Sequence, residues 1–282
     1  QNGTLALDAG GNDVSSIIHG TGSIGGAGAL LLVGNTSVNF GGNDKIKNLG
    51  TLKIEDGTAT ISGSIKIGAV EFVPNKKGTL NIESGKVLEL QKIQTKDNNT
   101  VKGAGTLKLT GTEESTFGGL VSALGTLEFA NGGVEFSNGG VSSVGTITGN
   151  GGDLTVNNGT LSVANKMTLT GGNLTVNGTL NVSDVLSATG GNVSGMGTLN
   201  LANGGTFTTG SGYNNALNKL IVGGTTTLLS ASTIEVLEFS KAAEVKISDS
   251  LKAETVSTVN GAILSGDTLM LTGTGRSEER RV

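Results

Sequence analysis

Apolar and polar residues alternate in short runs along almost the whole chain, and each run is closed by glycine or asparagine. In Thr51-Leu52-Lys53-Ile54, Leu and Ile fall on one side of an extended backbone and Thr and Lys on the other. Leu80 and Ile82, Leu107 and Leu109, Leu127 and Phe129, Leu161 and Val163, Leu180 and Val182, and Leu199 and Leu201 repeat the arrangement. Alternation over about four residues predicts half-buried strands, and no helical periodicity competes with it. Many runs open on Gly-Thr-Leu, beginning at Gly3, Gly50, Gly78, Gly105, Gly125, Gly159, Gly178 and Gly197, with looser copies at Gly28 and Gly145. The separators are Gly-Gly, Asn-Gly and Gly-Gly-Asn, which supply the positive backbone angles of tight corners.

The runs recur in units of about twenty residues. GGDLTVNNGTLSVANKMTLT opens at Gly151, GGNLTVNGTLNVSDVLSAT at Gly171 and GGNVSGMGTLNLANGGTFTT at Gly190. Each unit holds about three strands and three corners, too short for a pair of helices. A short unit whose apolar face is buried only against its neighbours describes a solenoid. The expected fold is therefore all-β: a right-handed parallel β-helix with about 20 residues per coil. With a dozen coils about 4.8 Å apart, the body would be about 60 Å long. The wider step from Gly50 to Gly78 predicts an inserted loop. Lys53, Asn81, Lys108, Glu128, Thr148, Ser162, Asn181 and Asn200 are expected to form one outward polar row.

Composition supports an ordered solenoid. The chain has 49 Gly, 1 Pro and 3% aromatic residues, which is unlike an ordinary globular domain. Only 15% of residues are charged and the net charge is −4, whereas disordered chains carry more charge and lack spaced apolar residues. There is no cysteine, so disulfides, thiolate metal sites and thiol nucleophiles are excluded. The opening QNGTLALDAGGND has neither the basic start nor the apolar centre of a secretory leader, and residue 1 already lies within a repeat. The chain is thus expected to be an internal piece of a longer protein. All three arginines fall in the final RSEERRV, also the in-frame translation of a common sequencing adapter. Residues 1–275 are therefore expected to form the β-helix, and 276–282 a read-through tail.

Within the body, residues 44–108 are lysine-rich with interspersed acids, whereas 131–218 are nearly uncharged. In IEVLEFSKAAEVKISDSLKAETV the alternation of Ile234, Val236, Val245 and Ile247 favours strands over a helix. Lys45, Lys47, Lys53, Lys66, Lys76, Lys77 and Lys108 are candidate contacts for a polyanion or glycan. A solvated face that keeps rods apart is the other reading of the same lysines. Interspersed acids and the absence of aromatic stacking residues argue against nucleic acid.

Catalytic chemistry finds few footholds. Gly10-Gly11-Asn12-Asp13 and Gly41-Gly42-Asn43-Asp44 are similar to calcium-binding nonapeptide repeats but lack the second Gly and tandem copies, so they read as corners. His19 stands near Asp13, Ser15 and Ser16 without a recognisable nucleophile setting. Polysaccharide lyases and hydrolases also use β-helices. They need a catalytic Arg or Lys beside calcium-binding acids, or clustered Asp pairs, and here Glu55 and Asp56 are expected on opposite sides of a strand end. No cofactor and no metal are expected.

GAGTLKLTG at Gly103–Gly111, with TFGG at Thr116–Gly119 and LGTLEFANGG at Leu124–Gly133, resembles the passenger-associated transport repeat of bacterial autotransporters. GMGTLNLANGGTFTTG at Gly195–Gly210 resembles it more weakly, and GSIGGAGALLLVGNTSVNFGG at Gly22–Gly42 is similar to rickettsial-type surface antigens. The resemblance spans most of residues 1–275. It implies type V secretion through a C-terminal outer-membrane barrel, expected to lie outside residues 1–282, and display of a monomeric β-helix at the cell surface. The expected role is a stalk or adhesin segment that meets a host cell or glycan. The alternative is a polysaccharide-degrading enzyme.

Overall fold

A computed structural model describes residues 4–8, 15–17, 24–25, 27–33, 37–40, 46–47, 49–208 and 215–272, with side chains from residue 27 onward except 37, 46–47 and 206–208. Every regular element among them is a strand, and every strand pairing is parallel. The chain winds into a β-solenoid of about 12 turns, roughly 19 residues per turn. Each turn has three sides. Thr51–Ile54 lies on the first, Thr58–Ile61 on the second and Ile65–Lys66 on the third; Ala69–Phe72 then pairs back onto Thr51–Ile54. The first side is continuous in register from Thr4–Asp8 to Ile263–Leu271.

The interior consists of columns, because the two-residue side-chain period sends every second residue inward and parallel register stacks those positions. On the second side Leu161, Leu180, Leu199, Leu220 and Leu237 are stacked and fully buried. On the third side Leu107, Leu127 and Ile147 stack in the same way, with Leu109 and Phe129 in the adjacent column. Leu52, Ile54, Leu80, Ile82, Val163, Val182 and Leu201 are also buried. Columns tolerate unequal residues when large and small alternate. Phe129 is followed by Gly149 and then Leu169, and a Cβ on Gly149 would lie 2.5 Å from Phe129 Cζ and 2.7 Å from Leu169 Cδ2. The Phe129 ring occupies the space this glycine leaves. Phe117 and Phe136 stack on neighbouring rungs of the first side, with ring centroids 5.0 Å apart.

Three expectations need correction. Gly-Thr-Leu does not mark one side of the coil: Leu52 is on the first side, Leu80 on the second and Leu107 on the third. The outward row therefore divides by side: Lys53 stands on the first, Asn81 and the stacked Ser162, Asn181 and Asn200 on the second, and the stacked Lys108, Glu128 and Thr148 on the third. The long step from Gly50 to Gly78 is mainly one turn plus one side, because Thr51 pairs with Ala69 and the next strand, Thr79–Ile82, lies on the second side; the insertion is confined to the corner 73–78, which is longer than the corner 55–57 one turn earlier. Finally, Ile234 and Val236 do not share a face. Ser232–Phe239 rounds a corner without breaking, so Ile234 is buried, Val236 is half-exposed and Leu237 is buried.

Candidate functional surface

With the core occupied by columns, chemistry must lie on the outward positions and corners. On the third side the outward column reads Lys66, Glu89, Lys108, Glu128, Thr148, Thr168, Ser187. Charge alternates from rung to rung and then gives way to hydroxyls. Glu89 uses both oxygens: Oε1 lies 2.6 Å from Lys66 Nζ and Oε2 lies 3.9 Å from Lys108 Nζ. On the first side Lys53 Nζ meets Glu71 Oε2 on the next rung at 3.2 Å. Lys92 Nζ reaches Glu113 Oε2 at 2.7 Å. Exposed pairs add little stability one by one, because water screens them. Each nevertheless spans one turn, and displacing a rung would set like charges side by side.

The first corner after Ile54 gathers the densest group. Glu55 Oε1 lies 2.8 Å and Asp56 Oδ2 3.1 Å from Lys76 Nζ, and Asp56 Oδ1 accepts the Lys77 N–H at 2.9 Å. The expectation that Glu55 and Asp56 face apart is thus corrected. Strand alternation ends at Ile54, the backbone bends, and both carboxylates turn to one ammonium. The Lys77 amide and then the Lys76 ammonium hold the Asp56 carboxyl below the ordinary aspartate range. Lys76 is raised by Glu55 and then Asp56, and Glu113 is lowered by Lys92. Behind this corner Asn99 is buried; its Nδ2 donates to the Lys76 carbonyl at 2.9 Å and its Oδ1 accepts the Lys96 N–H at 2.8 Å.

The candidate lysines are therefore dispersed. Lys53 is on the first side, Lys66 and Lys108 on the third, and Lys76 and Lys77 on a corner. Lys45 lies outside the described residues, and Lys47 is placed by its backbone alone, on the third side in Ile46–Lys47. His19, both Gly-Gly-Asn-Asp segments and the 276–282 tail also lie outside the described residues.

In the uncharged middle, asparagine ladders replace ion pairs. Asn157 Nδ2 donates to Glu135 Oε1 at 3.0 Å, Asn177 Nδ2 to Asn157 Oδ1 at 3.1 Å, and Met196 N–H to Asn177 Oδ1 at 3.3 Å. A second ladder starts at Asp153 Oδ1, which accepts the Asn173 N–H at 2.7 Å, and continues from Asn173 Oδ1 to the Asn192 N–H at 3.0 Å. An amide both donates and accepts and so can be stacked, whereas a carboxylate only accepts and serves as the first rung. Sequence reasoning missed these ladders, although Asn157 and Asn177, twenty residues apart, carried the signal.

Near the last turns a cleft of roughly 330 Å³ is lined by Asn215, Ser232, Thr233, Ser250, Lys252 and Met270, among others. Its buried polar atoms bind one another: Asn215 Nδ2 donates to Ser232 Oγ at 3.0 Å, and Ser232 Oγ to the Ser230 carbonyl at 3.0 Å. Among the described residues no three His, Cys, Asp or Glu converge as metal ligands would. No known protein family, curated protein or solved structure matches the chain.

Proposed function

We propose that this chain is a structural element of a bacterial surface: a stalk or adhesin segment of the autotransporter passenger type. The observation that carries the reading is the first side, paired without a missing rung from Thr4–Asp8 to Ile263–Leu271. Twelve or so rungs at about 4.8 Å give a body about 60 Å long, stiffened by backbone pairing along its axis. Outward groups support the same role. Several of them pair with the neighbouring rung, lysine with glutamate and amide with amide, and the candidate lysines are dispersed over different sides. The likeness of Gly103–Gly133 to the transport repeat agrees with coils that fold one after another as the chain emerges.

The test places the chain between a secretory leader and an outer-membrane translocating barrel in a Gram-negative host, and measures protease accessibility at the cell surface. Native sequence is expected on the surface, and the Leu127→Asp, Leu180→Asp double variant, which puts carboxylates into two core columns, is expected to be lost from it. Equal display of both would overturn the proposal.

A further inference from the structure

Asparagine followed by glycine is the step at which a polypeptide most readily modifies itself, since glycine offers no side chain to hinder attack on the asparagine amide. The described residues hold seven such steps, opening at Asn131, Asn138, Asn150, Asn158, Asn177, Asn203 and Asn260. The reaction needs two freedoms: the Asn side chain must swing over the following backbone nitrogen, and that N–H must be free to lose its proton.

The solenoid withholds those freedoms unequally. Asn177 is locked three times, since Nδ2 donates to Asn157, Oδ1 accepts from Met196, and the Gly178 N–H donates to the Val156 carbonyl at 2.9 Å. The Gly151 N–H after Asn150 donates to the Thr170 carbonyl at 2.8 Å. Asn138 Nδ2 is held by the Gly119 carbonyl at 2.8 Å, and Asn203 Nδ2 by the Ser183 carbonyl at 2.7 Å. Asn131 and Asn158 are exposed and their glycines pack on the neighbouring rung, where a Cβ on Gly132 would lie 2.4 Å from the Glu113 carbonyl and one on Gly159 2.3 Å from the Gly140 carbonyl, which crowds the corner but locks neither freedom. Asn260 differs. It is exposed in a turn closed by the Ala262 N–H on the Val259 carbonyl at 3.1 Å, and Gly261 has φ +84° and only Ala242 Cβ nearby, at 3.1 Å.

We propose that Asn260–Gly261 is a self-modification site that converts through a cyclic imide, ahead of the hydrogen-bonded steps at Asn138, Asn150, Asn177 and Asn203. The Gly261 nitrogen, on losing its proton, bonds to Asn260 Cγ; the Cγ–Nδ2 bond breaks and the side-chain nitrogen leaves as ammonia. Water then opens the five-membered ring. Attack at Cγ leaves aspartate, and attack at the main-chain carbonyl leaves isoaspartate, in which the backbone runs through Cβ and is one carbon longer. Either product adds a negative charge to the turn between Glu244–Ser257 and Ile263–Leu271.

The test incubates the folded chain in heavy-oxygen water at mildly alkaline pH and follows each Asn–Gly peptide by mass spectrometry, with a denatured sample alongside. Asn260 is expected to convert at least about tenfold faster than Asn177, because at least two net hydrogen bonds hold the latter. In denaturant the rates should draw together. Asn157→Ala should speed conversion at Asn177 in the folded chain, and Asn260→Gln should silence the turn and leave the other steps unchanged. Folded rates that match the denatured ones, or Asn177 converting as fast as Asn260, would overturn the assignment.

Discussion

Gly149→Ala tests the column architecture at its tightest point. The added methyl carbon would lie 2.5 Å from Phe129 Cζ and 2.7 Å from Leu169 Cδ2, both well inside contact distance and both on buried side chains. Overpacking of this kind costs about 1–3 kcal/mol. Two contacts this short belong in the upper half of that range, about 2–3 kcal/mol. Replacing a strand glycine by alanine recovers roughly 0.5–1 kcal/mol of backbone entropy, so the net loss should be about 1–2.5 kcal/mol. For a chain of this size that corresponds to a fall of roughly 2–10 °C in Tm. Because each coil touches only its neighbours, the damage should be local. Hydrogen exchange should rise in Leu124–Phe129, Val141–Asn150 and Met167–Thr170 before it rises elsewhere. Phe129→Leu should cost stability alone yet restore part of it beside Gly149→Ala, with a coupling of about 0.5–3 kcal/mol. A Gly149→Ala chain with unchanged Tm, or a pair of variants whose effects simply add, would refute the claim that ring and glycine share one space.

The corner at Asp56 makes a prediction about pH. Its carboxyl is depressed in the folded chain, so the stability it contributes is present above the unfolded aspartate pKa and is lost as pH falls through the folded value. The coils around Thr51–Ile82 should soften in that acidic window, as read by hydrogen exchange. Lys76→Met should raise the Asp56 pKa only part of the way in an NMR titration, because the larger cause, the Lys77 N–H, remains; full return to the ordinary value would count against this account. Asn99→Ala leaves the Lys76 carbonyl and the Lys96 N–H without their partner and should cost about 1–3 kcal/mol in chemical denaturation; no measurable loss would mean water replaces the amide freely.

Strand alternation was legible in residues because burial on one face forces it, and Leu52, Leu107 and Leu180 are buried where their spacing placed them inward. The side of the coil to which each belongs was not legible. All three sides pose the same local problem, which is to leave a corner, expose a hydroxyl and bury a leucine, so Gly-Thr-Leu answers it on any of them. Lys53, Asn81 and Lys108 look equivalent along the chain and stand apart in space for that reason. Contacts between turns were hidden as well. Glu55 and Asp56 could be assigned to opposite faces only while the strand was imagined to continue past Ile54, and their partner Lys76 is a full turn away.

Three interchangeable sides have a consequence for how such a molecule changes length. A deletion that removes Thr160 through Gly178 would set Thr179 directly after Gly159, the same step of the coil, since Thr160 and Thr179 occupy one register position. Reach can thus be altered in whole-turn increments of about 4.8 Å without re-engineering the cross-section. In that sense the protein is a ruler whose graduations can be added or struck out one at a time.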